Sequence, residues 1–131
     1  MARKGNEILR RTATENEFQR SVIRIYEGWG YKVGHNYDSR RERLSGIPDL
    51  TCAHRVTKAL VILELKKEGE GPTLEQVFML DCYNQAGVYS KVVDASDLRS
   101  GLLEGVARHY ASHWGGFDEC TVCTKHQTRN N

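Results

Sequence analysis

Apolar and polar positions alternate along this chain with two different periods, and the switches between them mark out its elements. Phe18, Val22, Ile25, Tyr26 and Trp29 fall at i, i+4, i+7, i+8 and i+11, the stripe of a single helix face. Thr14 and Glu17 stand at capping-box spacing before that stripe and predict the helix start. Gly28 and Gly30 predict its end. Tyr31 to Asn36 reads as a short strand, and residues 37–46 as a polar, arginine-rich loop. Pro48 opens a second strand, Asp49 to Ala53, because proline is tolerated at a first strand position. After a turn around His54–Lys58, the run Ala59-Leu60-Val61-Ile62-Leu63 is apolar without alternation, which predicts a strand over 59–66 buried on both faces. Pro72 and Thr73 begin a second helix with Thr73 and Gln76 again at capping-box spacing. Its expected apolar face is Val77, Phe78, Leu80 and Tyr83, and Gly87 ends it. Val88 to Val93 reads as a fourth strand. Asp94 or Ser96 then caps a last helix that carries Leu98, Leu102, Val106 and Tyr110 and stops at Gly115-Gly116. The order α-β-β-β-α-β-α, with a helical crossover before the fourth strand, predicts an α/β fold with a mixed central sheet covered by helices.

Composition narrows the class without choosing a function. The chain has 131 residues, 39% hydrophobic and 27% charged, which suits one soluble domain with a real core. A net charge of +2 is too small to imply a polyanionic partner by itself. Placement says more: Arg3, Lys4, Arg10 and Arg11 cluster near the start, and Arg40, Arg41 and Arg43 share one loop. Such clusters suit phosphate backbones, and they equally suit a solvated surface. No apolar run reaches the ~20 residues of a membrane span. The basic N-terminus has no hydrophobic segment after it, so no secretion signal and a cytoplasmic setting are expected. Cys52 and Cys82 lie in apolar segments and read as small core residues.

The chemistry concentrates in Gly46-Ile47-Pro48-Asp49 and Glu64-Leu65-Lys66. Side chains on a strand repeat with period two, so Glu64 and Lys66 point the same way. A carboxylate and an ammonium at the end of a buried strand are costly to desolvate unless compensated. An aspartate starting the neighbouring strand, a shared divalent cation and a phosphate would compensate them. Mg²⁺ takes hard oxygen ligands, so Asp49 and Glu64 are candidate ligands and the Leu65 carbonyl a third. Lys66 would orient the attacking water or neutralise the scissile phosphate. The plain alternative is a Glu–Lys pair in solvent.

These motifs resemble the PD-(D/E)XK nuclease superfamily and, within it, the small VRR-NUC (virus-type replication-repair nuclease) domains common in phages. The resemblance covers about residues 13–104. It includes Thr14-Glu15 with Phe18-Gln19, Gly30, His35 and Asp38-Ser39-Arg40-Arg41. It continues through Gly46, Pro48-Asp49-Leu50, Glu64-Leu65-Lys66, Gln76, Gly87 and Asp94 with Ser96-Asp97-Leu98. It implies a restriction-endonuclease-like αβββαβ core with an added C-terminal helix, and Mg²⁺- or Mn²⁺-dependent hydrolysis of DNA. In that family pattern Asp49 and Glu64 are metal ligands and Lys66 the catalytic lysine. Glu15 is the first-helix acid and Gln76 the glutamine supporting the site. Glu17 is the alternative to Glu15, and a capping role the alternative for Gln76. His35 and Ser39 join Arg40, Arg41 and Arg43 as expected DNA contacts, the arginines because their planar forks hold phosphate bidentately.

Three units are therefore expected: a basic arm over 1–12, a nuclease domain over 13–114 and a tail over 115–131. In the tail, Cys120, Cys123 and His126 have zinc-ligand spacing, with His113 or His109 available from the last helix. A loose tail with free thiols is the simpler reading. DNA is the expected partner, selected by structure more than by sequence, and no small-molecule cofactor is expected. One active site cuts one strand, so a homodimer would be needed to cut two. The rival readings are a Holliday-junction resolvase and a non-catalytic DNA-binding or assembly protein on the same fold.

Overall fold

The structure, a computed structural model, describes residues 2–36 and 47–124, the first thirteen of these (2–14) by their backbone alone. The elements run α1 (Ala2–Gly28), β1 (Tyr31–His35), β2 (Leu50–His54), β3 (Leu60–Leu65), α2 (Leu74–Gln85), β4 (Tyr89–Val93), α3 (Ala95–Arg99) and α4 (Leu102–Ser112). The four strands form one sheet in the order β1-β2-β3-β4. β1 and β2 pair antiparallel, as do β2 and β3, whereas β3 and β4 pair parallel across the α2 crossover. The expected mixed α/β sheet with helical cover is what forms.

One face of the sheet carries the main core. Tyr31 and Val33 of β1, Leu50 and Cys52 of β2 and Val61 and Leu63 of β3 are buried there with Val22 and Tyr26 of α1. Leu102, Leu103, Val106 and Ala107 of α4 complete it. The helical stripe read from the sequence is thus the buried face of α1, with Phe18, Ile25 and Trp29 packed at its margin. Burial pushes the Cys52 thiol up to about 12, so this cysteine behaves as a small apolar side chain. The Tyr31 hydroxyl donates to the Ala107 carbonyl at 2.8 Å, tying β1 to α4. His54 closes the α1–β1 corner: its Nδ1 accepts from the Val56 and Thr57 amides and its Nε2 donates to the Trp29 carbonyl. Gly30 sits at φ +96°, and a Cβ there would lie 2.9 Å from the His54 ring, so both backbone and space require glycine.

The opposite face is covered by halves. α2 lies over β3 and β4, where Gln76 and Leu80 are buried and the Ser90 hydroxyl donates to the Leu80 carbonyl. Over β1 and β2 the same face is open, with Lys32, Gly34, Thr51 and Ala53 exposed.

Several expectations are corrected here. α1 begins at Ala2, so Thr14 and Glu17 lie inside a helix, and residues 2–12 belong to it. A capping-box spacing also occurs within helices, where the preceding backbone is already helical. Of the apolar face expected for α2, Leu80 is buried and Tyr83 half-buried, but Val77 is 47% and Phe78 69% exposed. Cys82, read as a core residue, is exposed because α2 buries the Gln76–Leu80 line. The last helix is two, α3 capped by Asp94 and α4, separated at Gly101 with φ +84°. The tail is not loose through Thr124, since Phe117 and Cys123 are buried against the core. No helix among the described residues is long and apolar enough to cross a membrane.

Candidate functional site

The strand register decides whether Asp49 and Glu64 can share an ion. β2 and β3 pair Leu50 with Leu63 and Thr51 with Ile62. One step beyond the start of β2, the same register sets Asp49 opposite Glu64. Opposed residues of an antiparallel pair point to the same face. Leu50 and Leu63 face the main core, so Asp49 and Glu64 face the other side, where the open half meets α2. Asp49 Oδ2 accepts a 2.8 Å hydrogen bond from the Leu65 amide, which fixes the carboxylate against the end of β3.

Glu64 is 1% exposed, and its surroundings explain how a carboxylate tolerates that. Gln76 Nε2 donates to Glu64 Oε2 at 2.9 Å, and Lys66 Nζ lies 3.7 Å from the same oxygen. Gln76 is held in turn by the helix start. Its Oε1 accepts from the Thr73 amide at 2.9 Å, and its own amide donates to Thr73 Oγ1 at 3.2 Å. The two roles weighed for Gln76 therefore coexist. The side-chain oxygen completes the capping box and the side-chain nitrogen reaches the buried carboxylate. Lys66 extends β3 by one amide bond to the Val93 carbonyl, 2.9 Å, and its side chain shares the Glu64 face by strand alternation.

Other expected members are placed differently. Glu15 is exposed on α1, and it does not gather with Asp49 and Glu64 into a close trio of ligand atoms. The residue one turn along, Gln19, meets His35 Nδ1 at 3.3 Å. His35 pairs with Leu50, so it faces α1, across the sheet from Glu64. Leu65 is placed at Asp49 through its N–H. Ser39, Arg40, Arg41 and Arg43 lie outside the described residues, as does His126.

A second polar cluster lies at the C-terminal corner. His109, Cys120 and Cys123 each offer a ligand atom within 4.8 Å of the others, the one such group among the described residues, and it could hold a metal ion such as zinc. Of the two α4 histidines expected to be available, His109 is the one that joins both cysteines in this group. Its position in the chain, four residues before His113 on α4, was the only signal for it. Among the causes acting on Cys120, backbone N–H groups of Cys123 and Val122 donate to its sulfur and hold the thiol below its ordinary value, while burial pushes Cys123 up to about 11. A scan of protein-family models, a search of curated proteins and a search of solved structures each found no match for this chain.

Proposed function

We propose that this chain is a divalent-metal-dependent DNA endonuclease whose centre is Asp49, Glu64 and Lys66 at the joined ends of β2 and β3. The observation that carries the reading is the β2–β3 register, which, continued one step past Leu50 and Leu63, sets Asp49 opposite Glu64 where the open half of the sheet meets α2. Beside them, Lys66 and Gln76 converge on one Glu64 oxygen. The donors fit the ion: two carboxylates, oxygen only, each oriented by an N–H donor, suit Mg²⁺ or Mn²⁺ with waters completing the shell. When bound, such an ion lowers the pKa of a coordinated water and neutralises charge on the phosphate. Asp49 and Glu64 would hold it, the Leu65 amide and Gln76 would keep both carboxylates in place, and Lys66 would stand against a phosphate oxygen or the attacking water. The exposed strip of Lys32, Gly34, Thr51 and Ala53 beside the site leaves room for a nucleic-acid backbone. Glu15 has no part in this arrangement as it stands, so two carboxylates carry the ion.

The test is incubation with supercoiled plasmid and Mn²⁺. Nicking that EDTA stops supports the reading, and unchanged plasmid, together with no cleavage of single-stranded, flapped, forked or four-way DNA, refutes it. Lys66→Ala should lower the nicking rate by ~100-fold or more while Mn²⁺ affinity changes by less than about threefold. Equal losses of rate and affinity would remove Lys66 from its assigned role.

A further inference from the structure

His109 is fully buried, yet nothing in the proposed nuclease centre uses it. Its Nε2 lies 2.8 Å from the Gly115 carbonyl, which can only accept, so Nε2 carries the proton and Nδ1 presents a lone pair. That lone pair is aimed at Cys123 Sγ, 3.2 Å away. A ring held by a carbonyl at one nitrogen and aimed by the other is how metal-binding histidines are oriented. His113, one turn along α4, stacks on His109 with ring centroids 5.2 Å apart and planes 4° from parallel. Its Nδ1 lies 3.8 Å from the same sulfur. Cys120 stands just before a helical turn over 121–124, close enough for Cys120, Cys123 and His109 ligand atoms to fall within 4.8 Å of one another.

We propose that His109, His113, Cys120 and Cys123 form a structural zinc site that clamps the C-terminal segment onto α4. Zinc bonds of about 2.3 Å to sulfur and about 2.0 Å to nitrogen, at tetrahedral angles, put ligand atoms about 3.6 Å (N to S) and 3.8 Å (S to S) apart. The N to S separations from His109 and His113 to Cys123, 3.2 and 3.8 Å, bracket the first value. Both sulfurs bind as thiolates and release their protons to solvent. The clamp explains how a short polar tail keeps Phe117 buried in edge contact with Tyr89 and His109. It differs in kind from the strand-end site, since nitrogen and sulfur donors choose zinc where carboxylates choose magnesium. The inference does not rest on the nuclease reading.

The full chain, purified without chelator, should contain close to one zinc per molecule by elemental analysis. Replacing zinc with Co²⁺ should give the intense visible bands of a tetrahedral, thiolate-bound ion. The zinc and the bands should persist in Asp49→Ala and vanish in Cys120→Ser. His113 is exposed, so His113→Ala should fold and bind zinc at least about tenfold more weakly. A metal-free protein, a Cys120–Cys123 disulfide, or zinc retained by Cys120→Ser and lost in Asp49→Ala would overturn the site. Zinc affinity unchanged in His113→Ala but lost in His126→Ala would overturn the choice of fourth ligand.

Discussion

The two polar clusters are assembled in opposite ways. At the strand ends, Asp49, Glu64 and Gln76 come from three elements, and only the sheet register and the α2 crossover bring them together. At the C-terminal corner, His109 to Cys123 span fifteen residues of continuous chain around one turn. The first cluster borders an open face, and the second is folded into the core beside Phe117. An open cluster of this kind can be altered at a cost in chemistry, whereas a closed one is altered at a cost in folding.

Three measurements sharpen or break that contrast. Asp49→Ala should lower metal-dependent plasmid nicking by about 10³-fold or more while leaving the fold intact, as read by circular dichroism. A comparable loss of folded protein would show that the strand end is structural first. His109→Ala should do the reverse, destabilising by about 2–4 kcal/mol through a cavity and two lost hydrogen bonds, with nicking per folded molecule unchanged. Denaturant midpoints and plasmid assays on the same samples decide it. Gln76→Leu is the intermediate case, since it strips an N–H from buried Glu64 and opens the capping box. A destabilisation of about 1–3 kcal/mol is expected, with activity reduced as well.

The smallest effect lies outside both clusters. The Ser96 hydroxyl and amide hold the Asp94 carboxyl below its ordinary value at the start of α3. A carboxylate with a lowered folded-state value stabilises above its unfolded value and loses that contribution as pH falls through the folded one. Asp94→Ala should therefore cost about 1 kcal/mol near neutrality. The difference from the parent should shrink below pH ~4. A gap that stays constant to low pH would assign the cost to something other than the charged cap.

The order of elements was legible because strong periodic segments carry their own burial. Val22 and Tyr26 recur at helical spacing, and Val61 to Leu63 are apolar without a break, so both reach the core as read. α2 misled the reading because its buried line runs through a polar residue. Gln76 is inside only because Glu64 needs a donor there, while Val77 and Phe78, the stronger apolar signal, lie outside. The break between α3 and α4 hinged on a backbone angle at Gly101 that composition does not announce. In the site, Asp49 and Glu64 were readable from motif and strand period. The distance of Glu15 from a close trio with them was not, since it depends on where α1 settles against β1. The cysteine pair was legible from spacing and the two α4 histidines from their i, i+4 placement, but which of them meets both thiols depends on the packing of the tail.

Gln76 also sets how freely position 76 can vary. The side chain there must present an acceptor to the Thr73 amide and a donor to Glu64 from a single terminal carbon, at a reach of two methylenes. Glutamate keeps the first and repels the second, methionine supplies neither, and asparagine falls one carbon short. Thr73 has serine, aspartate and asparagine as ready substitutes, so drift that spares both arrangements can spread through the cap residue while its partner stays fixed.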